Sequence, residues 1–561
     1  DNSDQIVNIS DNGYPKPSKE NDNLYKVCIV TTGDLHGHAF PLVQKNEKTG
    51  EEYEVGGLSY IAKYIEIFRN EWKEKMIYLD VGDNFVGSLE SKLSEGEIMV
   101  DFFNYTKVNA ITFGNHEFDN GWEFLEKYMQ KINSPFISSN IYKKDSNEPY
   151  AKDTTLILDV GKVKLGIIAV STCDTPNTSS GEFSNIIFKN CKEIIVKESA
   201  KLRPLVNAII LFAHIGLECI SPPIQQDMYG LYNSKFGTGT NEKGELKDLL
   251  DILPDGVIDV VIAGHLHQNY HYFYRGIPVV IPKDSGAFIN AVYLTFDSNG
   301  KYLKNETIIE GAIPVTNKLY YGKKMLGNDR NEKMHHISFH GIKINKDEKL
   351  EKIFEKYKKK LDEYNEKITI VDQLTYVYKQ NSETVFGDIA CDILSQETNS
   401  DFGIMASGAF RTTWAVGEVT KGKVIEMFPF KNYVVSYVIL GELLYRLLED
   451  ILNGRKYQVG GFRYVFTREI KNNKERIKIL NIIDEKTGKE IEKDKEYRVA
   501  SYDFLVPKFG DDFVKVKEYY KPKDVKTYGL IYEVMLVGLK KLERINYEEY
   551  RKKIPERVIL V

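Results

Sequence analysis

The sequence predicts a two-domain α/β protein, and three observations carry that prediction. Its 561 residues exceed what one hydrophobic core usually organises. From about 24 to 300, short β-branched runs alternate with amphipathic stretches, the pattern of an α/β sandwich with much parallel or mixed sheet. A highly charged stretch at 346–367, "KDEKLEKIFEKYKKKLDEYNEK", then precedes a second mixed region that runs to the C-terminus.

Taken in order, residues 1–23 are polar and carry two prolines, so they read as a flexible or loosely docked arm. The first domain is expected over 24–340. Its runs "LYKVCIVTT", "KMIYLDVG", "NAITFG", "LVNAIILFA" and "VIDVVIAG" read as strands buried on both faces. "GGLSYIAKYIEIFRNEWKEK" and "GWEFLEKYMQKI" place apolar residues at helical spacing. Residues 341–367 form a linker helix, with a narrow apolar stripe at Leu350, Ile353, Phe354 and Tyr357 and the rest solvated. The second domain, 368–561, contains strands such as "VVSYVIL" and "GGFRYVFT". The stretch 220–256 reads as a surface excursion.

Bulk properties exclude several classes. With 42% hydrophobic and 12% aromatic residues the chain buries substantial cores. The net charge of -5 comes without a basic stripe interleaved with aromatics, which disfavours polymeric nucleic acid as a partner. No window approaches the apolar length of a membrane span. The five cysteines (Cys28, Cys173, Cys191, Cys219, Cys391) make no disulfide scaffold, although Cys173 and Cys191 could pair. The chain begins at Asp1, which reads as a removed leader or tag, and sequons at Asn8, Asn104, Asn177 and Asn305 suit a secreted protein.

The chemistry lies where the five buried strands stop. They end at "GDLHGH", "GDNF", "GNHEFD", "HIGLE" and "GHLH", and these segments hold six of the ten histidines. In open α/β sheets the C-terminal strand edge is where loops converge on a ligand. Asp34 and His36, two apart on extended backbone, point to one side and can hold one cation. Asp83 can bridge two metals, as in two-metal phosphatases. Asn115 offers an amide oxygen to the second metal, His214 and His265 offer imidazoles, and His267 returns to the first. Nitrogen and oxygen donors without thiolates suit Zn, Mn, Fe or Co.

These motifs, with "GGLSYI" and "GDNFVGS", resemble those of the calcineurin-like metallophosphoesterases, and the whole chain resembles the two-domain 5'-nucleotidase family. The resemblance implies a four-layer α/β catalytic sandwich, a linker helix and a C-terminal substrate-binding domain. It implies one divalent metal held by Asp34, His36, Asp83 and His267, and another by Asp83, Asn115, His214 and His265. His116 is the implied catalytic imidazole, with Asp119 holding its tautomer. His267 departs from the Gln or Asn frequent in two-domain nucleotidases.

The C-terminal half resembles the family over about 376–515. "DFGIMASGAFR" makes Arg411 a phosphate or carboxyl contact. "FPFKNYVV" contributes Phe430 and Asn432, "YQVGGFRY" contributes Gly461, and "YDFLVPKFGDDF" contributes Phe504 and Asp511, with Asp512 as the neighbouring alternative. Two aromatic rings sandwiching a base is sound stacking physics. The departures are "SGAF" for Asn-Gly-Gly, and "KQNSETVFGD" with Lys379 as its one cation where arginines usually stand.

The implied activity is metal-dependent hydrolysis of a phosphomonoester, foremost a nucleoside 5'-phosphate, outside the cytosol. The alternatives are a cyclic phosphodiesterase, a nucleotide-sugar pyrophosphatase or another phosphatase on the same scaffold, and a binding or structural protein that kept the fold. By analogy with the family, chemistry in one half and recognition in the other implies a hinge near 340–370.

Overall fold

The computed structural model describes residues 6–10, 13–46, 48–220, 231–233, 240–321, 333–378, 383–454, 456–505, 520 and 522–561. Asp511, Asp512, Lys379 and much of the 220–256 excursion lie outside the described residues. The chain divides into two compact units, Asp1–Lys360 and Leu361–Val561.

The first unit is built on two sheets. In one, seven strands run in the order Leu231–Asn233, Ile308–Pro314, Phe288–Phe296, Tyr25–Thr32, Met76–Asp80, Ala110–Thr112 and Phe136–Ile137. In the other, six run in the order Asn269–Tyr274, Ile277–Pro282, Val260–Ala263, Ala208–His214, Val163–Ser171 and Thr155–Val160. The five strands read from the sequence are the parallel centres of these sheets, three in the first and two in the second.

Side-chain alternation explains why those runs are apolar throughout. Along the first strand Val27 and Ile29 point into a core shared with Leu165, Ile210, Phe212 and Ile262 of the other sheet. Cys28 and Val30, on the opposite face, pack under Leu58–Trp72 and Glu97–Thr106. Across the sandwich Ile209, Leu211 and Val261 pack under Cys191–Leu202 and Glu245–Ile252. Every central strand is covered on both faces, and the layers are helix, sheet, sheet, helix. Among the described residues no helix is long and apolar enough to cross a membrane.

The N-terminal arm and the charged helix both pack on the first unit. In the arm, Val7–Asn8 pairs in parallel with Lys333–Phe339. Tyr14 stacks on His340 with ring centroids 3.6 Å apart, and Ile9 is buried. Its apolar residues are too few to signal a strand, but they cap an existing sheet edge. The charged helix Glu348–Leu361 seats Leu350, Phe354 and Tyr357 in the first unit's core, and Tyr357 donates to Asp101. Its narrow stripe is enough because it covers an already formed helix layer.

The second unit carries a five-stranded sheet in the order Tyr457–Gly460, Phe402–Ala406, Glu496–Tyr502, Tyr433–Leu440 and Lys523–Leu530. Beside it, Val558–Leu560 pairs with the long hairpin Phe462–Asp484. Arg557, 1% exposed, fastens this C-terminal end. Its guanidinium grips Glu485 bidentately at 2.6 and 2.9 Å and donates to Asp392 at 2.8 Å.

Candidate functional site

The first-unit site residues lie at the C-terminal ends of the parallel strands of both sheets, His214 as the last residue of its strand and the others just beyond theirs. Five of them, Asp34, His36, Asp83, His265 and His267, have positive φ between 48° and 83°, so Asp34 and His36 sit on left-handed backbone and not on the extended backbone that their spacing suggests. Non-glycine residues occupy this region at a cost of order 1–3 kcal/mol each, so surrounding structure must hold them there. Glycines make room for the approach. A Cβ on Gly114 would lie 2.0 Å from Asp83 Oδ1, and one on Gly264 would lie 2.5 Å from Asp34 Oδ2.

The ring orientations follow from hydrogen bonds to the backbone. His36 Nδ1 donates to the Val86 carbonyl at 2.9 Å and His214 Nδ1 to the Val81 carbonyl at 2.8 Å. Both Nε2 atoms therefore turn inward. His36 Nε2 lies 3.0 Å from His267 Nε2, and His214 Nε2 lies 3.0 Å from Asp83 Oδ2. Asp34 Oδ1 sits 3.8 Å from both His36 and His214 and 3.7 Å from His267. Asn115 donates through Nδ2 to the Thr178 carbonyl, which turns Oδ1 toward His265 Nδ1 at 3.0 Å.

Two groups of donors result, each with its ligand atoms within 4.8 Å of one another. One is Asp34, His36 and His267, and the other is Asp83, His214 and His265. Asp83 reaches both, since its Oδ2 is also 3.9 Å from His36 Nε2. Imidazole and carboxylate acceptors crowd together, all turned inward. That arrangement is electrostatically favourable only around positive charge. The pKa directions agree. Burial opposes a charged imidazole at His214, yet Asp83 and Asp34 raise it to about 10. Burial opposes a charged Asp83, yet His214, His116 and His36 hold it well below the usual carboxylate range. The donor set fits a pair of divalent cations.

Beside these groups, His116 Nδ1 meets Asp119 Oδ2 at 2.7 Å. Asp119 is itself held, its Oδ1 accepting from Ser179 Oγ at 2.7 Å and from the Ser180 N–H at 2.8 Å. The His116 N–H donates to Asp83 Oδ1 at 2.8 Å, tying the dyad to the shared carboxylate.

Sequence reasoning missed the residues that hold these loops. Glu117, unassigned in "GNHEFD", accepts from the N–H groups of Asp83, Asn84 and Gly114 and stitches two strand-end loops together. Burial and the Asp83 charge raise it to about 8. Asp80 accepts from Thr32 Oγ1, the Gly82 N–H and Asn84 Nδ2. A carboxylate ending a wholly apolar strand was the one available signal for Asp80.

In the second unit Arg411, Phe430 and Asn432 come close in the fold. The Arg411 guanidinium lies over the rings of Tyr378 and Phe430, 4.5 and 5.3 Å from their centroids. Tyr378 was not anticipated, and nothing local in its sequence marks it. Asn432 donates to Asp503 Oδ1 at 2.9 Å and is buried. Phe504 stacks on Tyr502 at 6.2 Å and packs on the core. Gly461 has φ +82°, and a Cβ there would lie 2.4 Å from the Asp401 carbonyl, so the bend itself demands glycine.

A helix–sheet–sheet–helix sandwich with two groups of nitrogen and oxygen donors at its strand ends suits metal-dependent hydrolysis of phosphoesters. Residues 29–269 match the calcineurin-like phosphoesterase family and residues 366–518 match the 5'-nucleotidase C-terminal domain. The chain belongs to the two-domain 5'-nucleotidase family of calcineurin-like metallophosphoesterases. It is 24% identical to an apyrase of Aedes albopictus, covering 89% of this chain and 87% of that one. It is likewise 24% identical to a 5'-nucleotidase of Vibrio cholerae, covering 90% and 89%. Its fold is similar to that of a 5'-nucleotidase precursor from Thermus thermophilus, with TM-score 0.73, 19% identity and coverage of 96% and 99%.

Proposed function

We propose that this chain hydrolyses phosphomonoesters, with nucleoside 5'-phosphates as its substrates, and that it works outside the cytosol. The observation that carries the reading is the pair of donor groups sharing Asp83, with the His116–Asp119 dyad tied to that same carboxylate. Asp34, His36, Asp83 and His267 hold one divalent ion, and Asp83, Asn115, His214 and His265 the other, drawn from Zn, Mn, Fe or Co. When bound, such ions supply Lewis acidity to the phosphoryl oxygens and to the attacking water.

The protein's own groups do the rest. Asp119, fixed by Ser179 and Ser180, keeps the His116 Nδ1 proton and presents Nε2 to the substrate. His116 stabilises charge growing on the phosphoryl group and protonates the leaving alkoxide. Glu117 keeps the Asp83 and Asn115 loops in register, so that substrate meets preformed donors. Arg411, flanked by Tyr378 and Phe430, contacts a phosphate or carboxyl group. Phe430 and Phe504 stack the base, with Asn432 and Gly461 beside it, and Asp511, outside the described residues, is the remaining expected contact.

The test combines metal analysis with hydrolysis of AMP, ADP, UDP-glucose, cyclic phosphates and p-nitrophenyl phosphate. Release of phosphate from AMP by protein carrying two metals per chain is the expected result. Turnover of p-nitrophenyl phosphate without AMP would sink the nucleotide reading. Preference for UDP-glucose or a cyclic phosphate would move the activity to the related diesterases.

A further inference from the structure

Two thiols bracket the segment that anchors the dyad. Residues 172–180 supply the Thr178 carbonyl that orients Asn115, and the Ser179 hydroxyl and Ser180 N–H that hold Asp119. Cys173 stands near the start of this loop and Cys191 opens the helix Cys191–Leu202. Their contacts cross. Cys173 Sγ reaches the Lys189 carbonyl at 3.5 Å, two residues before Cys191, and Cys191 Sγ reaches the Ser171 carbonyl at 3.8 Å, two residues before Cys173. Buried Asn140 draws the two ends together, its Nδ2 donating to Ser171 at 2.9 Å and Lys189 at 3.3 Å and lying 3.6 Å from Cys191 Sγ.

Exposure separates the two thiols, since Cys173 is exposed and Cys191 buried. A hydrogen bond from Cys191 lowers the Cys173 thiol below the ordinary range, although burial and the Glu245 and Asp174 charges oppose this. Cys173 thus has the access and the character of an attacking thiol, and Cys191 those of a resolving one.

We propose that Cys173 and Cys191 form a modification site at which a small disulfide, of the oxidised glutathione class, installs an intrachain disulfide that fastens the dyad-holding loop to the Cys191–Leu202 helix. The Cys173 thiolate attacks one sulfur of the reagent, breaking its S–S bond and expelling one thiol. Cys191 then attacks Cys173 Sγ in the mixed disulfide and expels the second. One S–S bond is exchanged for another, the two cysteines lose two electrons, and the reagent leaves as two thiols carrying the two cysteine protons. The disulfide itself does not depend on the proposed function, but its effect on turnover rests on the reading of His116 and Asp119.

The experiment uses the full wild-type chain, metal-loaded, treated with oxidised glutathione or with dithiothreitol. Non-reducing peptide mapping should return one crosslinked peptide, Cys173 to Cys191, with Cys28, Cys219 and Cys391 still alkylatable. The oxidised form should melt roughly 3–8 °C higher, from closure of a loop of this length, and Cys173→Ser should abolish both the crosslink and the gain. Free thiols at both positions after oxidation, a crosslink to another cysteine, or a crosslink without a Tm gain would each overturn the proposal. A crosslink with the Tm gain but identical kcat in the two forms would uphold the site and count against the dyad reading instead.

Discussion

Removing the His116 imidazole tests the chemistry most directly. In His116→Ala the backbone N–H that donates to Asp83 Oδ1 at 2.8 Å is retained, and the side chain belongs to neither donor group. Both metals should therefore stay. What goes is an imidazole locked by a 2.7 Å contact with Asp119, whose other oxygen is fixed by Ser179 and Ser180. A positioned general acid contributes roughly 10²–10⁴-fold, or about 2.7–5.4 kcal/mol of transition-state stabilisation. The assay is kcat on p-nitrophenyl phosphate and AMP, with metal content measured by mass spectrometry on the same preparation. Asp119→Asn provides the graded case. Its amide oxygen can still accept from Ser179 and Ser180, which turns the NH₂ toward His116 and forces the other tautomer. A smaller kcat loss with unchanged metal content is expected. Loss of metal in His116→Ala, or a kcat drop below tenfold, would refute the assigned role.

Gly114→Ala should remove at least one metal, because the new Cβ lies 2.0 Å from Asp83 Oδ1 and must displace it; two metals per chain in the variant would contradict this. Arg557→Met should destabilise the second unit by about 3–5 kcal/mol in denaturant melts, since it leaves Glu485 and Asp392 without their buried cation. His340 sits between Glu71 and Glu310, with Tyr14 and Phe339 stacked on it; burial opposes its charge, but the two carboxylates raise its pKa above the ordinary 6.5. Because the folded value is the higher one, its contribution is complete below about pH 6.5 and disappears as pH rises through the folded value. A wild-type stability advantage over His340→Gln that stays constant across that range would refute it.

Much of the first unit was legible because its signals are local. Burial on both faces writes an apolar run, most strand ends show as Gly followed by Asp, Asn or His, and helical stripes appear at three- and four-residue spacing. The five runs proved to be strands. Solvent exposure was harder to read. Ile9 and the Leu350, Phe354, Tyr357 stripe sit in polar surroundings, yet they are buried because other elements had already built the surface they cover.

The sequence by itself determined which residue types stand at each strand end, and therefore that nitrogen and oxygen donors gather at one sheet edge. Only the tertiary structure decided that these ends come from two facing sheets, since both sheets consist of equally apolar strands and nothing local distinguishes them. It alone turned the rings of His36 and His214 inward, through carbonyls of Val86 and Val81 that lie far away in the chain. It alone made Glu117 the clasp between two loops, and set Tyr378 over Arg411. The reason is physical: a side chain's identity fixes which bonds it can make, but its partner is chosen by how distant segments pack, and that pairing leaves no local pattern in one sequence.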